Sequence, residues 1–331
     1  MAVAPQLSPF ELVDLREVRA RELGALLEEE RRLWAEELRW DYRPSAEMIR
    51  KHVDAQTLPG AAALVHGRVA GYSFHILDDA KGIIGDLYVL REFRRQRPTG
   101  TEAGVATLLL EHTLAGLEGS PRLRRLEAQI IPCGTEPLAP VFLAHDFRSF
   151  PRVFLYKELR PSAARVASLP EKVVLRGWED SDFQPMAALI VEAYRDHVDS
   201  RINDQYSSSG GSLRFLKNIV IFPGCGVFLA ETSLVVVEEG TERLLGAALT
   251  SRVAAGVAHV TQVCVAPARQ GQGLGRALME AVLARLAAGG YRGVSLTVTA
   301  ENKPAIELYT KLGFQVIKGF SAFARDLPVT Q

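Results

Sequence analysis

The 331-residue sequence predicts an α/β protein, an α+β mixed sheet with flanking helices, in which one domain plan occurs twice in tandem. Three observations lead there. Val257 to Val265 is an apolar run of strand character that passes through a glycine-rich turn into an amphipathic helix, the βα step of such a fold. Pro132 to Phe147 aligns without gaps on Thr299 to Phe314, setting Thr135 on Asn302, Pro137 on Pro304, Phe142 on Tyr309, Asp146 on Gly313 and Phe147 on Phe314. Ala103 to Leu109 likewise matches Gln272 to Leu278, and such internal similarity marks a repeated unit. Finally, at about 100 to 200 residues per domain the length suits two domains. Arg160 to Glu171, with two prolines, small residues and no strand period, reads as the join. The expected limits are 1–160 for the first domain, 161–171 for the linker and 172–331 for the second.

Each half reads as strand, two helices, three antiparallel strands, a long helix, a strand, a short helix and final strands. In the first half helices are expected over about Asp14 to Leu38 and Ala46 to Asp54. A hairpin is expected to turn at Gly67-Arg68 between Ala61 to His66 and Val69 to Leu77, followed by a strand over Gly82 to Leu90. In the second half Val173 to Leu175 opens and Phe183 to Tyr194 is helical. Gly240-Thr241 turns between Leu234 to Glu238 and Leu244 to Val253. Leu274, Leu278, Val282 and Leu286 recur every four residues, so the long helix buries one face, and Gly289-Gly290 stops it. Ser295 to Val298 is the next strand, and Pro304 to Leu312 the short helix.

Composition narrows the function classes. With 39 basic and 39 acidic residues the chain has no general attraction to nucleic acid or anionic membrane, and no basic run overrides that. Three widely spaced cysteines, Cys133, Cys225 and Cys264, fit neither a disulfide framework nor a zinc site and suggest a reducing compartment; no metal is expected. No cationic segment followed by an apolar run opens the chain, and no window approaches eighteen apolar residues, so a cytoplasmic location is expected.

Val265-Ala-Pro-Ala-Arg-Gln-Gly-Gln-Gly-Leu-Gly-Arg276 is the most informative stretch. Glycines at 271, 273 and 275 let the backbone turn sharply and approach a ligand, while the first amides of the following helix point outward with the positive end of its dipole. A phosphate fits there. The spacing is not Gly-x-Gly-x-x-Gly, no acidic residue ends the next strand, and no Lys-Ser/Thr closes a Walker loop, so the two common phosphate loops are excluded. Gln270, Gly273 and Gly275, following Val265 and Pro267, instead resemble the Gln/Arg-x-x-Gly-x-Gly/Ala signature of the GCN5-related N-acetyltransferases, the GNAT superfamily. Asn302, Ala305, Tyr309, Gly313 and Phe314 resemble that family's second element, Asn-x-x-Ala followed by Tyr-x-x-x-Gly-Phe. The tandem layout is also similar to that of the mycothiol synthases.

The resemblance implies two GNAT acyl-CoA N-acyltransferase domains and acetyl-CoA as cosubstrate, with coenzyme A as product. It implies direct acetyl transfer to an amine without a covalent enzyme intermediate. The pantetheine would lie between splayed strands at Gln262 to Val265 and Leu296 to Val298, beside Cys264, with the Val265 amide polarising the thioester carbonyl. Pyrophosphate would rest on the amides of Gly271, Gly273, Leu274, Gly275 and Arg276; the side chains of Arg269 and Arg276 either join it or cover the turn. Tyr309 is the expected acid for the leaving thiolate, whose conjugate acid titrates like a cysteine, near about 8.5. Asn302 bonds the pantetheine, caps the short helix, or does both.

Relatives often carry a glutamate base on the strand before the turn. Here His259-Val-Thr-Gln-Val-Cys-Val265 has no carboxylate. By strict alternation His259 shares a face with Thr261, Val263 and Val265, and its ordinary pKa suits a base; the alternative is a satisfied or solvent-facing histidine. The acceptor pocket is expected around Glu192, Tyr194, His197, Asp199, Asp204 and Tyr206, next to a loop at Ser207 to Gly211.

The first half keeps the plan and loses the chemistry. Its turn, Arg91 to Glu102, is longer, carries Pro98 where a donor is needed, and retains glycines only at 100 and 104. Phe142 has no hydroxyl. Arg91, Arg94, Arg95 and Arg97 either hold a phosphate or form a solvated surface. The expected function is N-acetyl transfer to a primary amine of a small molecule or peptide, by a monomer or homodimer with no nucleic-acid partner. An aminoglycoside-type or protein N-terminal acetyltransferase, or a nonenzymatic acyl-CoA sensor, is the alternative.

Overall fold

The computed structural model describes residues 10–94, 103–131, 138–160, 169, 171–221 and 225–328. In chain order the elements are β1 (Phe10–Asp14), α1 (Gly24–Leu38), α2 (Arg43–Asp54), β2 (Gly60–Val65), β3 (Arg68–Asp78), β4 (Lys81–Val89), α3 (Val105–Glu118), β5 (Arg125–Ala128), α4 (Ala139–Ala144) and β6 (Arg148–Glu158). There follow β7 (Val173–Gly177), α5 (Phe183–Ala193), α6 (Val198–Ile202), α7 (Ser209–Val220), β8 (Val227–Phe228), β9 (Leu234–Glu238) and β10 (Leu244–Ala254). The chain closes with β11 (Val257–Val265), α8 (Leu274–Ala288), β12 (Gly293–Thr299), α9 (Lys303–Lys311) and β13 (Gln315–Asp326).

The expected plan appears, with the first helical stretch broken. Asp14 ends β1 and accepts the Arg16 amide with its side chain, 3₁₀ turns follow, and α1 starts only at Gly24. The first hairpin turns through His66 and Gly67, both at positive φ. Ser207 to Gly211 is not a loop but the approach to a helix: Ser208 accepts the Gly211 amide at 3.1 Å and caps α7.

Two compact units are formed, 1–150 with 320–331, and 151–319. Their limits depart from the sequence boundary at 160. Pro151 to Glu158, counted in the first domain from sequence, lie in the second unit, where Arg152 to Glu158 pair antiparallel with β12. Phe320 to Asp326 lie in the first unit, where Phe323 to Asp326 pair with β5. The cause is duplication itself. Two copies of one plan offer each open strand two near-equivalent partners, and local propensity does not choose between them. The expected linker, 161–171, falls largely outside the described residues.

In the first unit β1 to β4 form an antiparallel meander, β4 pairs parallel with β5, and the end of β13 closes the edge. In the second, β7, β9, β10 and β11 run antiparallel, β8 adds to β10, β11 pairs parallel with β12, and β6 flanks β12.

The second unit buries both faces of its sheet. On one, α8 and α9 pack Leu274, Leu278, Val282, Leu286, Tyr309 and Phe314 onto Leu155, Val260, Val294 and Leu296. The four-residue stripe read from sequence is this face; each fully buried side chain contributes about 1.5 to 3 kcal/mol. On the other, α5 and α7 pack Met186, Ile190 and Leu216 onto Val235, Leu249 and Cys264. The cofactor-type helix and the expected acceptor helices therefore lie on opposite faces, and only an opening in the sheet can join their chemistry.

Candidate active site

That opening arises from strand register. β11 and β12 pair from Val257↔Gly293 to Val260↔Leu296, and the ladder stops there although the strands continue to Val265 and Thr299. Beyond that point the β12-facing groups of β11 are turned into a gap. The Ala266 amide bonds the Leu245 carbonyl across β10 at 2.8 Å, so by alternation the amides of Val263 and Val265 face away from β10 and into it.

A bulge coincides with the parting. β11 meets β10 with Leu249↔Gln262 and then Thr250↔Val260, leaving Thr261 as the extra residue; its hydroxyl donates to the Leu249 carbonyl at 3.2 Å. The same irregularity recurs in the first unit at Gly85, between Phe74↔Asp86 and His75↔Ile84.

The bulge corrects the reading of His259. One inserted residue inverts the alternation, so His259 stands on the face of Gln262 and Cys264 rather than that of Val263 and Val265. It is buried, and its Nδ1 lies 2.8 Å from the Ser295 hydroxyl, with the Phe154 ring 5.7 Å from its own. Burial, followed by the positive charge of Arg152, depresses its pKa to about 3. It does not line the cleft described below. An imidazole so held is a poor base for an ammonium, and it reads instead as a satisfied core histidine.

The gap opens into a cleft of about 1070 Å³. Cys264, Val265, Gln270, Gly271, Gly273, Leu274, Gly275, Arg276, Asn302 and Tyr309, all predicted from sequence, line it together. Gly271 and Gly273 stand at φ +74° and +82°, left-handed conformations that L side chains rarely adopt. The Gln270 side-chain Nε2 donates to the Val265 carbonyl at 3.1 Å and ties the turn to the strand. The Ala277 amide bonds the Gly273 carbonyl, so the amides of Leu274, Gly275 and Arg276 have no partner within α8, and no side chain caps them. Arg276 donates to Glu280 at 2.7 Å along the helix surface.

Asn302 caps α9, accepting the Ala305 amide at 3.2 Å, and its amide nitrogen lies 3.3 Å from His197 Nε2. Tyr309 is buried with its ring edge-on to Phe314, centroids 5.9 Å apart. Burial, then the charge of Asp199, raises its pKa, so the phenol stays protonated. Burial also pushes the Cys264 thiol up to about 12, which leaves it no nucleophile.

Of the expected acceptor residues, Tyr194, His197, Asp199 and Tyr206 line the cleft, and Glu192 and Asp204 do not. The Thr299 hydroxyl donates to Asp199, whose carboxylate also lies 3.7 Å from His197 Nδ1. Tyr194 accepts from the Gln262 side chain at 3.0 Å and donates to the Val263 carbonyl at 3.3 Å. Sequence reasoning missed the Gln262 side chain's bond to Tyr194, and missed Thr299 and Arg152. Gln262 and Thr299 stand among cofactor-strand residues, and Arg152 precedes the linker; only the pairing Arg152↔Thr299 brings it to the site.

The first unit lacks an equivalent arrangement among its described residues. Arg94 donates to the Val89 carbonyl at 2.9 Å, to the Tyr88 hydroxyl at 2.8 Å and to Glu29 at 3.2 Å, so it is tied into its own strand end. Phe142 is fully buried and stacks on Phe323 at 4.1 Å. Residues 95–102, which include Arg95 and Arg97, lie outside the described residues.

Residues 203–314 match the acetyltransferase (GNAT) family. The chain is 29% identical over 265 residues to a mycothiol acetyltransferase of Actinosynnema mirum, covering 77% of this chain and 82% of that protein. A mycothiol acetyltransferase of Nocardioides sp. is 27% identical over 66% of this chain and 74% of its own length. Among solved structures, a GCN5-related N-acetyltransferase from Sphaerobacter thermophilus superposes with TM-score 0.69 at 17% identity, covering 98% and 97% of the two chains. A tandem GNAT protein from the clavulanic acid biosynthesis pathway does so with TM-score 0.59 at 18% identity, covering 96% and 98%.

Proposed function

We propose, for a chain that carries an acetyltransferase domain of the GNAT family, that acetyl-CoA binds in the β11/β12 gap and gives its acetyl group directly to a primary amine of a small molecule or peptide. One observation carries this reading: the ladder ends at Val260↔Leu296, and the gap beyond it leads to three uncapped helix amides at one end while Tyr309 and Asp199 line the same cleft. An extended pantetheine would pair with the Val263 and Val265 edge like an added strand. The pyrophosphate would accept from the amides of Leu274, Gly275 and Arg276 at the positive end of α8.

The chemistry follows from those positions. Asp199 receives the acceptor as an ammonium, and its proton leaves to that carboxylate directly or through water. The amine lone pair then attacks the thioester carbonyl, and the Val265 amide stabilises the resulting oxyanion. Collapse re-forms the carbonyl and breaks the C–S bond, the Tyr309 phenol donates its proton to the departing thiolate, and the surplus proton on the nitrogen leaves to water, from which the Tyr309 phenolate is reprotonated. The charge of Asp199 supports that role, because it opposes ionisation of Tyr309 and keeps the donor loaded.

Release of coenzyme A from acetyl-CoA across a panel of amines, including a mycothiol-type amine suggested by the relatives' names, tests the reading. Amine-dependent release with a matching acetylated product is expected. Release independent of every amine, with no acetylated product, would contradict it.

A further inference from the structure

We infer that His197 and Asn302 form a two-donor site for one neutral ligand oxygen, a carbonyl or a hydroxyl, in the cleft. This rests on the acetyl-transfer reading above and adds to it a binding role for His197.

Two backbone amides decide where the protons lie. His197 caps α6, and its Nδ1 accepts the Asp199 amide at 3.1 Å. A ring nitrogen that accepts carries no hydrogen, and the imidazole needs at least one, so His197 bears it on Nε2. Asn302 caps α9 through Oδ1, which accepts the Ala305 amide at 3.2 Å. The other end of that side chain, Nδ2, is therefore the donor end. Backbone amides donate and never accept, so reversing either assignment would break a helix cap.

These assignments set like groups face to face. His197 Nε2 lies 3.3 Å from Asn302 Nδ2. Two N–H groups cannot bond each other, and no acceptor among the described residues takes either of them. An oxygen placed against both satisfies both. The Asp199 carboxylate does not serve: it stands at the other edge of the ring, 3.7 Å from Nδ1 and beyond hydrogen-bond range. Its negative charge also disfavours an anion nearby, which leaves a neutral oxygen as the fitting ligand atom.

The imidazole is fixed in place for this. It meets the Tyr194 ring edge-on, with centroids 5.3 Å apart, and Tyr194 is itself anchored by Gln262 and the Val263 carbonyl. The His197 amide donates to the Tyr194 carbonyl at 3.1 Å, and the Ser200 hydroxyl donates to the His197 carbonyl at 2.7 Å. Both donors line the cleft, and the His197 side chain is still 29% exposed, so a ligand can reach it. Two molecules proposed to enter the cleft carry such an oxygen: acetyl-CoA in the amide carbonyls of its pantetheine arm, and an acceptor with a carbonyl or hydroxyl beside its amine.

The test reads the proton and the binding separately, on the full chain. Long-range proton–nitrogen NMR of histidine-labelled protein at pH 8, with His197 assigned by its loss in His197→Asn, should show a hydrogen on Nε2 and none on Nδ1. A hydrogen on Nδ1 would overturn the inference. His197→Asn also keeps an oxygen to cap α6 while removing the Nε2 donor. Loss of that donor should weaken whichever ligand supplies the oxygen by roughly 2- to 10-fold. If the oxygen is the pantetheine's, the acetyl-CoA Kd rises by that factor. If it is the acceptor's, Kd is unchanged and kcat/KM falls by that factor for vicinal amino alcohols and amino amides but not for plain alkylamines. An unchanged Kd together with unchanged, or equally lowered, kcat/KM for both amine classes would overturn the inference as well. Acetylation of no amine at all would count against the acetyl-transfer reading; the tautomer and the acetyl-CoA Kd would then decide the donor pair alone, an unchanged Kd counting against it.

Discussion

Replacing Gly275 by alanine should make the protein more stable and a worse binder of acetyl-CoA. Gly275 is helical, in the first turn of α8, and a Cβ there would meet Val265 Cγ2 at 3.6 Å and Leu308 Cδ2 at 3.9 Å, both ordinary contacts. Nothing in the fold therefore requires glycine. Helix propensity alone should raise stability by about 0.5 to 1 kcal/mol, or a few degrees in Tm. The new methyl would nevertheless enter the cleft between two residues that line it, beside the amides proposed to hold pyrophosphate. Crowding a fitted ligand by one methyl costs about 1 to 3 kcal/mol, hence roughly 5- to 150-fold in Kd. Calorimetric titration of acetyl-CoA, with one site per chain expected, and a thermal melt read the two effects separately. An unchanged Kd with a raised Tm would refute placement of the phosphates at this helix end. Gly273→Asp is a blunter probe, because φ +82° adds backbone strain to any electrostatic effect.

Two buried groups give pH tests. The pKa of His259 is depressed to about 3, so an unfolded chain takes up a proton there that the folded chain refuses. Its stabilisation is complete above about pH 6.5 and is lost as pH falls toward 3. His259→Gln should shrink the fall in Tm between pH 7 and pH 4.5 and leave the acidic limb of the pH–rate profile in place; loss of that limb would restore His259 as the base. In the first unit Glu30 is buried with Tyr42 and Tyr72 beside the half-buried Asp86, and burial, then the Asp86 charge, raises Glu30 far above the usual carboxylate range. That shift has the opposite sign: stability is greatest at low pH and declines as pH rises through the folded value. Glu30→Gln, which copies the protonated form, should raise Tm at pH 8 and make little difference near pH 4.5. Equal destabilisation at both would show that the pair is not proton-bound.

Much of the site is legible in the sequence because it is local. The strand, glycine turn and helix from Val257 to Leu286, and the cap and short helix from Asn302 to Phe314, are contiguous segments whose amides and side chains are positioned by their own neighbours. What the sequence hides is register. Strict alternation puts His259 on the Val263 face, and one extra residue at Thr261 reverses it, a shift that no propensity of threonine announces. Arg152 and the exchange of the strand ends at 151–158 and 320–326 depend on pairing across more than a hundred residues. Duplicated halves carry the same strand pattern, so nothing local tells a strand which copy to join.

In the proposed mechanism the leaving thiolate is protonated by Tyr309 in the gap between β11 and β12. Tyr309→Phe tests it most directly, because the ring and its contact with Phe314 are kept and only the hydroxyl is lost; Phe142 fills the corresponding position of the first unit without disturbing the fold. Single-turnover acetyl transfer to the best amine should slow by about 10²-fold or more, with the acetyl-CoA Kd nearly unchanged. A variant that transfers acetyl at the parent rate would contradict the claim, even with the cosubstrate bound where the turn is.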